Sequence, residues 1–209
     1  DTAIIYAGGG NEWFGPAVWK SSDLGASWSH SSEGLAYEAG AEPIKSVWSV
    51  AASNSALYAG VEPAGLFRSD DYGLTWSHVA GLRDHPSRPD WQPGAAGLIL
   101  HSITSEPGNP GKLWLGISAS GVFATEDGGA SWERRNRLSN AEACAHHHHP
   151  AAPSGGEIGH CVHSLARAPA AAGDLLYQQN HHGVWRSRDG GRSWEDVTEG
   201  LPSTFGFTI

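Results

Sequence analysis

Residues 187–194 read SRDGGRSW, and residues 125–132 read TEDGGASW. The same pattern (hydroxyl, any residue, Asp, any residue, Gly, any residue, hydroxyl, Trp) recurs as SSDLGASW at 21–28 and SDDYGLTW at 69–76. Its aspartates are Asp23, Asp71, Asp127 and Asp189, so successive copies stand 48, 56 and 62 residues apart. A short carboxylate can accept hydrogen bonds from the backbone N–H groups of its own turn. Gly25, Gly73, Gly129 and Gly191 supply the positive φ of a tight turn. The indoles of Trp28, Trp76, Trp132 and Trp194 offer large apolar surfaces to bury. The box therefore reads as a structural staple, and its aspartates as structural rather than catalytic.

Each box closes a longer repeat. Before it comes a segment ending on a Gly-apolar-aromatic step: AGLFRS (64–69), SGVFAT (120–125), HGVWRS (182–187) and, more loosely, AVWKSS (17–22). Earlier still lie IIYAGG (4–9), ALYAGV (56–61), KLWLGI (112–117) and LLYQQN (175–180). SVWSVAAS (46–53), LHSITSEP (100–107) and VHSLARAP (162–169) open the last three units. Each unit thus holds four short β-branched or aromatic strands between turn residues, with no helical period. Four strands in roughly 50 residues make a propeller blade. The expected fold is all-β: one propeller domain over 1–209, with four-stranded antiparallel blades. Counting strands A to D outward from the axis, the boxes occupy the C–D hairpins.

The four motifs resemble the Asp-box, or BNR, repeats of sialidases, sortilin-type receptors, xyloglucanases and photosystem II assembly factors. The stretch from GHCVHSLARAP to LLYQQNHHGVWRSRDGG is similar to a bacterial subgroup described as glycosidase- or exo-sialidase-like. That resemblance implies a carbohydrate-active hydrolase as one functional class. The sequence opens within a B strand and ends on TFGFTI (204–209), which reads like the start of another A strand. Two arrangements follow. Residues 204–209 could supply an inner strand to the first unit and close a four-bladed ring. Alternatively, the four blades belong to a six- to eight-bladed ring, with seven expected; family habit and the absence of Met favour this one. An open set of blades would leave strand edges that invite self-association.

Thirteen Lys and Arg against 22 Asp and Glu give a net charge of −9, which argues against nucleic acid or an anionic membrane as partner. No apolar run approaches the ~20 residues of a membrane helix. The compartment stays open between bacterial cytoplasm and secretion. Cys144 and Cys161 border the same long connector and can either pair or stay reduced.

Strand order puts the B–C hairpins and D–A connectors on one face and the boxes on the other. The first face, where propeller ligands usually bind, collects His101, His160, His163, His181 and His182, with Gln178, Gln179 and Asn180. The HSI and HSL steps make His101 and His163 positional equivalents, with Trp48 the equivalent one blade earlier. Imidazole is a common transition-metal ligand, and Zn²⁺ wants three or four such donors. His101, His160, His163 and His181 are the candidate ligands. Residues three apart on a strand point to opposite faces, so His160 and His163 can share an ion only if the strand carries a bulge. Plain hydrogen bonding in a wet channel is the other reading. The run His146–His149 reads as a loop that binds metal adventitiously.

For a glycan or peptide, the candidate contacts are Trp13, Trp91, Gln178, Asn180 and His182. A glycosidase usually needs two carboxylates ~5–9.5 Å apart. The candidates Glu12, Glu62, Asp84, Asp90, Glu142 and Glu157 form no paired motif. Sialidase hallmarks (an arginine triad, a Tyr–Glu pair and an R-I-P-like motif) are not found either. The favoured expectation is a non-catalytic binding or scaffold module, with a glycoside hydrolase as the alternative.

Overall fold

The computed structural model describes residues 4–11, 13–53, 56–136, 161–168 and 174–209. Four antiparallel sheets follow one another along the chain. The first contains β1 (Ile5–Asn11), β2 (Gly15–Ser21) and β3 (Ser29–His30). The second holds β4 (Ser46–Ser53), β5 (Ala56–Glu62), β6 (Gly65–Ser69) and β7 (Ser77–His78). The third holds β8 (Leu100–Glu106), β9 (Asn109–Ile117), β10 (Gly121–Thr125) and β11 (Glu133–Arg134). The fourth holds β12 (Val162–Arg167), β13 (Leu176–Asn180), β14 (Gly183–Ser187) and β15 (Glu195–Asp196). These are propeller blades; among the described residues the first has three strands and the others four. β1 packs on β4, β4 on β8, and β8 on β12. One short helix, α1 (Ala80–Arg83), and a 3₁₀ turn at Arg88–Asp90 interrupt the connector between the second and third blades. The repeat pattern gave no hint of either.

Each box folds as its chemistry requires. Asp71 accepts the Ser69 hydroxyl at 2.7 Å, the Thr75 amide at 2.9 Å and the Thr75 hydroxyl at 2.6 Å. Asp23, Asp127 and Asp189 repeat the arrangement with Ser21 and Ser27, Thr125 and Ser131, and Ser187 and Ser193. In every copy the first hydroxyl also accepts the amide of the box glycine, and that glycine has φ between 85° and 96°. Hydrogen bonds from Ser27 and Ser21 hold Asp23 down at about 2, and those from Thr75 and Ser69 do the same for Asp71. Asp127 is depressed further by Ser131 and Thr125. Burial pulls Asp189 upward, yet the bonds from Ser193 and Ser187 leave it net lowered.

Two of the box tryptophans bond to the blade before. The Trp76 indole donates to the Ser31 carbonyl at 3.0 Å, and that of Trp194 to the Arg135 carbonyl at 2.9 Å. The Trp132 and Trp28 indoles donate within their own boxes, to Gly129 and Gly25; Trp76, Trp132 and Trp194 are buried, whereas Trp28 is 43% exposed. Apolar clusters fill the interfaces. Val18, Val47, Leu57 and Phe67 pack between the first two blades. Leu66, Leu100, Leu115 and Phe123 follow between the second and third, and Trp114, Val162, Leu165 and Trp185 between the third and fourth.

Residues 204–209 form no strand and do not pair with β1, so the described residues do not close a four-bladed ring. They lie on the fourth blade instead. The Gln179 amide donates to the Thr204 carbonyl at 2.9 Å, and the Gly206 carbonyl meets His163 Nδ1 at 2.7 Å.

Candidate functional site

The innermost strands share an irregularity that builds the site. Pairing slips between Val47 and Ser49, between Leu100 and Ser102, and between Val162 and Ser164. The skipped residues are Trp48, His101 and His163. A bulged residue leaves the ladder and its side chain is re-aimed, here toward the same residue of the next blade. The Trp48 and His101 rings lie 5.6 Å apart, His101 and His163 5.6 Å apart, and His163 and Phe205 again 5.6 Å apart. One ring from each of the second, third and fourth blades thus forms a row, and Phe205 extends it from the 204–209 segment.

His181, from the turn between β13 and β14, closes on this row. Its ring is 4.7 Å from that of His163 and 5.2 Å from Phe205. Phe207 stacks on His163 at 4.6 Å with the planes 15° apart. Cys161 is a buried free thiol two residues before His163, and its Sγ stands 3.3 Å from the Ser118 hydroxyl. One donor atom from each of Cys161, His163 and His181 lies within 4.8 Å of the other two. A carbonyl oxygen can only accept, so the contact with Gly206 requires a proton on His163 Nδ1 and places the neutral ring's lone pair on Nε2. Burial, reinforced by the imidazoles of His163 and His181, holds His101 down at about 4.

Of the four histidines expected as metal ligands, His163 and His181 stand together with Cys161, and His101 lies beside that cluster with its ring 5.6 Å from that of His163. His160, Cys144, the run His146–His149, and Glu12, Glu142 and Glu157 lie outside the described residues. Cys161 is the donor that sequence reasoning overlooked. The available signal was its place two residues before His163.

The residues expected as ligand contacts lie in different surroundings. Trp91 is buried, tilted against Phe123 and covered by the Arg88 guanidinium 4.5 Å from its ring; its indole donates to Ser87. It covers the core. Gln178 and Asn180 are fully buried. Gln178 stands opposite Trp185 as Leu115 stands opposite Phe123 and Ala59 opposite Phe67, so it occupies an interior repeat position. Neither end of its amide has a hydrogen-bond partner among the described residues. Asn180 Oδ1 accepts from the His182 amide and the Trp185 indole, which braces the turn that presents His181. His182 is half-buried, its ring 6.3 Å from that of His181.

Trp13 does reach the surface. It is 88% exposed and Phe14 is 85% exposed; both amides donate to Asn11 Oδ1 at 2.9 Å, which fixes the β1–β2 turn that carries them. Trp48 is also exposed, and its indole donates to Glu62 at 3.1 Å. Glu62 further pairs with Lys45, and Asp84 with Arg83.

No family model matches the chain. Over 78 residues it is 31% identical to an oligoxyloglucan-reducing end-specific xyloglucanase of Emericella nidulans; the match covers 37% of this chain and 9% of that protein. Among solved structures, YCF48 bound to D1 peptide superimposes with a TM-score of 0.60 at 16% identity, over 97% of this chain and 53% of that one. An ancestral GH74 enzyme superimposes with a TM-score of 0.58 at 20% identity, over 86% of this chain and 21% of that one. The chain spans less than a tenth of the curated relative's length. Among the described residues no helix is long and apolar enough to cross a membrane. The protein has the fold of a β-propeller, of which four blades are present.

Proposed function

We propose that the protein is a non-catalytic binding module for a β-linked glycan, held on the face that carries Trp13, Phe14 and Trp48. The observation that carries this reading is the exposure of three large rings at that end of the propeller, two of them on a turn fixed by Asn11 and one anchored by Glu62. Flat aromatic faces suit the C–H faces of pyranose rings, and exposed aromatics held by a rigid scaffold mark recognition surfaces. The partial identity with a xyloglucanase makes xyloglucan the first ligand to try. The four boxes, with their shared hydrogen-bond pattern and spacing, support placing the repeats among the Asp-box propellers.

That same partial identity favours glycoside hydrolysis as the second reading. Against it, Glu62 and Asp84 are both engaged by cations. Calorimetric titration with xyloglucan oligosaccharides separates the two, run beside an assay for new reducing ends. Binding without cleavage, weakened about tenfold or more by Trp48→Ala or Trp13→Ala, is the expected result. New reducing ends would replace this reading with the hydrolase. Absence of binding, or binding of extended peptides in its place, would overturn the glycan assignment.

A further inference from the structure

We infer that Cys161, His163 and His181 form a binding site for a single zinc-class divalent ion at the mouth of the axial channel. The three donors come from the lead-in to β12, its bulge, and the β13–β14 turn, so the blade fold itself brings them together. Their donor atoms lie within 4.8 Å of one another. Tetrahedral ligands at ~2.0–2.3 Å from Zn²⁺ stand roughly 3.3–3.8 Å apart, so closing on an ion takes about 1 Å of side-chain movement. One sulfur and two imidazoles make a donor set suited to zinc and its neighbours.

The surroundings are those of a ligand set held in place. The Gly206 carbonyl orients His163 through Nδ1, the kind of outer contact that fixes metal-bound imidazoles. The Ser118 hydroxyl stands within hydrogen-bonding distance of Cys161 Sγ and can donate to a thiolate there. Phe205 and Phe207 flank the His163 ring and shield the site on one side. On ion binding Cys161 gives up its thiol proton to solvent, so each bound ion releases one proton and no redox partner is required. Three protein donors leave a fourth position open, and His101 stands nearby, its ring 5.6 Å from that of His163. The ion does not depend on the glycan reading, because Trp13 and Phe14 contribute nothing to it.

The test is zinc X-ray absorption on wild-type protein purified without nickel or cobalt resin and loaded with one equivalent of Zn²⁺. The expected spectrum has one sulfur near 2.3 Å and at least two imidazole nitrogens at about 2.0–2.1 Å. A sulfur-free first shell would overturn the site and assign the metal to His146–His149. Cobalt substitution adds a second readout: a thiolate-to-metal charge-transfer band that Cys161→Ser abolishes, and that His163→Gln and His181→Gln weaken. A band that survives Cys161→Ser would come from Cys144 and would equally refute the assignment. The wild-type spectrum decides the matter even if a variant fails to fold.

Discussion

Replacing Gly60 with alanine probes how the blades are spaced. Gly60 lies in β5 opposite Ser49, on the side that faces β8. A methyl group built there would sit inside van der Waals contact of Ser49 Oγ and Leu100 Cδ2, and 2.9 Å from the Leu100 carbonyl oxygen. It would intrude on the hydrogen bond that Ser49 donates to that carbonyl at 3.0 Å. Overpacking a tight interface costs roughly 1–3 kcal/mol, and losing a neutral hydrogen bond about 1 kcal/mol more. Gly60→Ala should therefore destabilise the protein by about 2–4 kcal/mol, which lowers Tm by about 4–16 °C at this chain length. Gly9→Ala is the control, because a methyl group there would have no neighbour within 4 Å. Scanning calorimetry on both variants is sufficient. A Gly60→Ala protein that melts with Gly9→Ala would show that this glycine is not a spacer, and the same argument for Gly116 against Val162 Cγ1 at 2.8 Å would fall with it.

Other substitutions follow from the same frame. Leu24 is 72% exposed and sits at φ 60° where Gly128 and Gly190 stand in later boxes, so Leu24→Gly should gain about 0.5–1 kcal/mol and raise Tm; a fall would mean the side chain packs. Trp194→Ala should cost about 3–5 kcal/mol in urea unfolding and Trp28→Ala less than half as much, because only Trp194 is fully buried; equal losses would contradict the blade-docking role. Acid should weaken the fold in two steps. Burial, aided by Arg83 and Arg88, holds His78 at about 4, so the unfolded chain takes up that proton first and stability falls from about pH 6.5 to 4. Below about pH 4 the depressed box aspartates continue the loss toward pH 2. His101, held at about 4 as well, contributes to the same window, so His78→Phe, which keeps a ring on Phe67, should shrink the upper step without abolishing it; an unchanged pH profile would refute the assignment.

Much of the fold was legible in the sequence, because its decisive signals are local. The Asp, Gly and hydroxyl residues of each box bond within eight positions of one another, so a short string carries the whole turn. The repeat register also held the equivalence of Trp48, His101 and His163. What it could not show was the slip in pairing at those residues, because a two-residue alternation does not record hydrogen bonds between strands. Without the bulge, His163 had no reason to converge with anything. Gln178 shows the opposite failure. Its polarity suggested the channel mouth, although the aligned positions of Leu115 and Ala59 already marked an interior site. Trp91 is buried because α1 and the following 3₁₀ turn fold its connector back onto Phe123.

The bulged position is also an evolvable one. A residue that takes no part in the ladder can be exchanged without moving the strands on either side. The chain has Trp, His and His at three such points around a single axis, and Phe205 continues the row from outside any strand. Each can change independently, like a letter in a fixed socket, while boxes at the far end of the blades go on holding the frame. Drift at these sockets would alter what the opening selects long before it altered whether the protein folds.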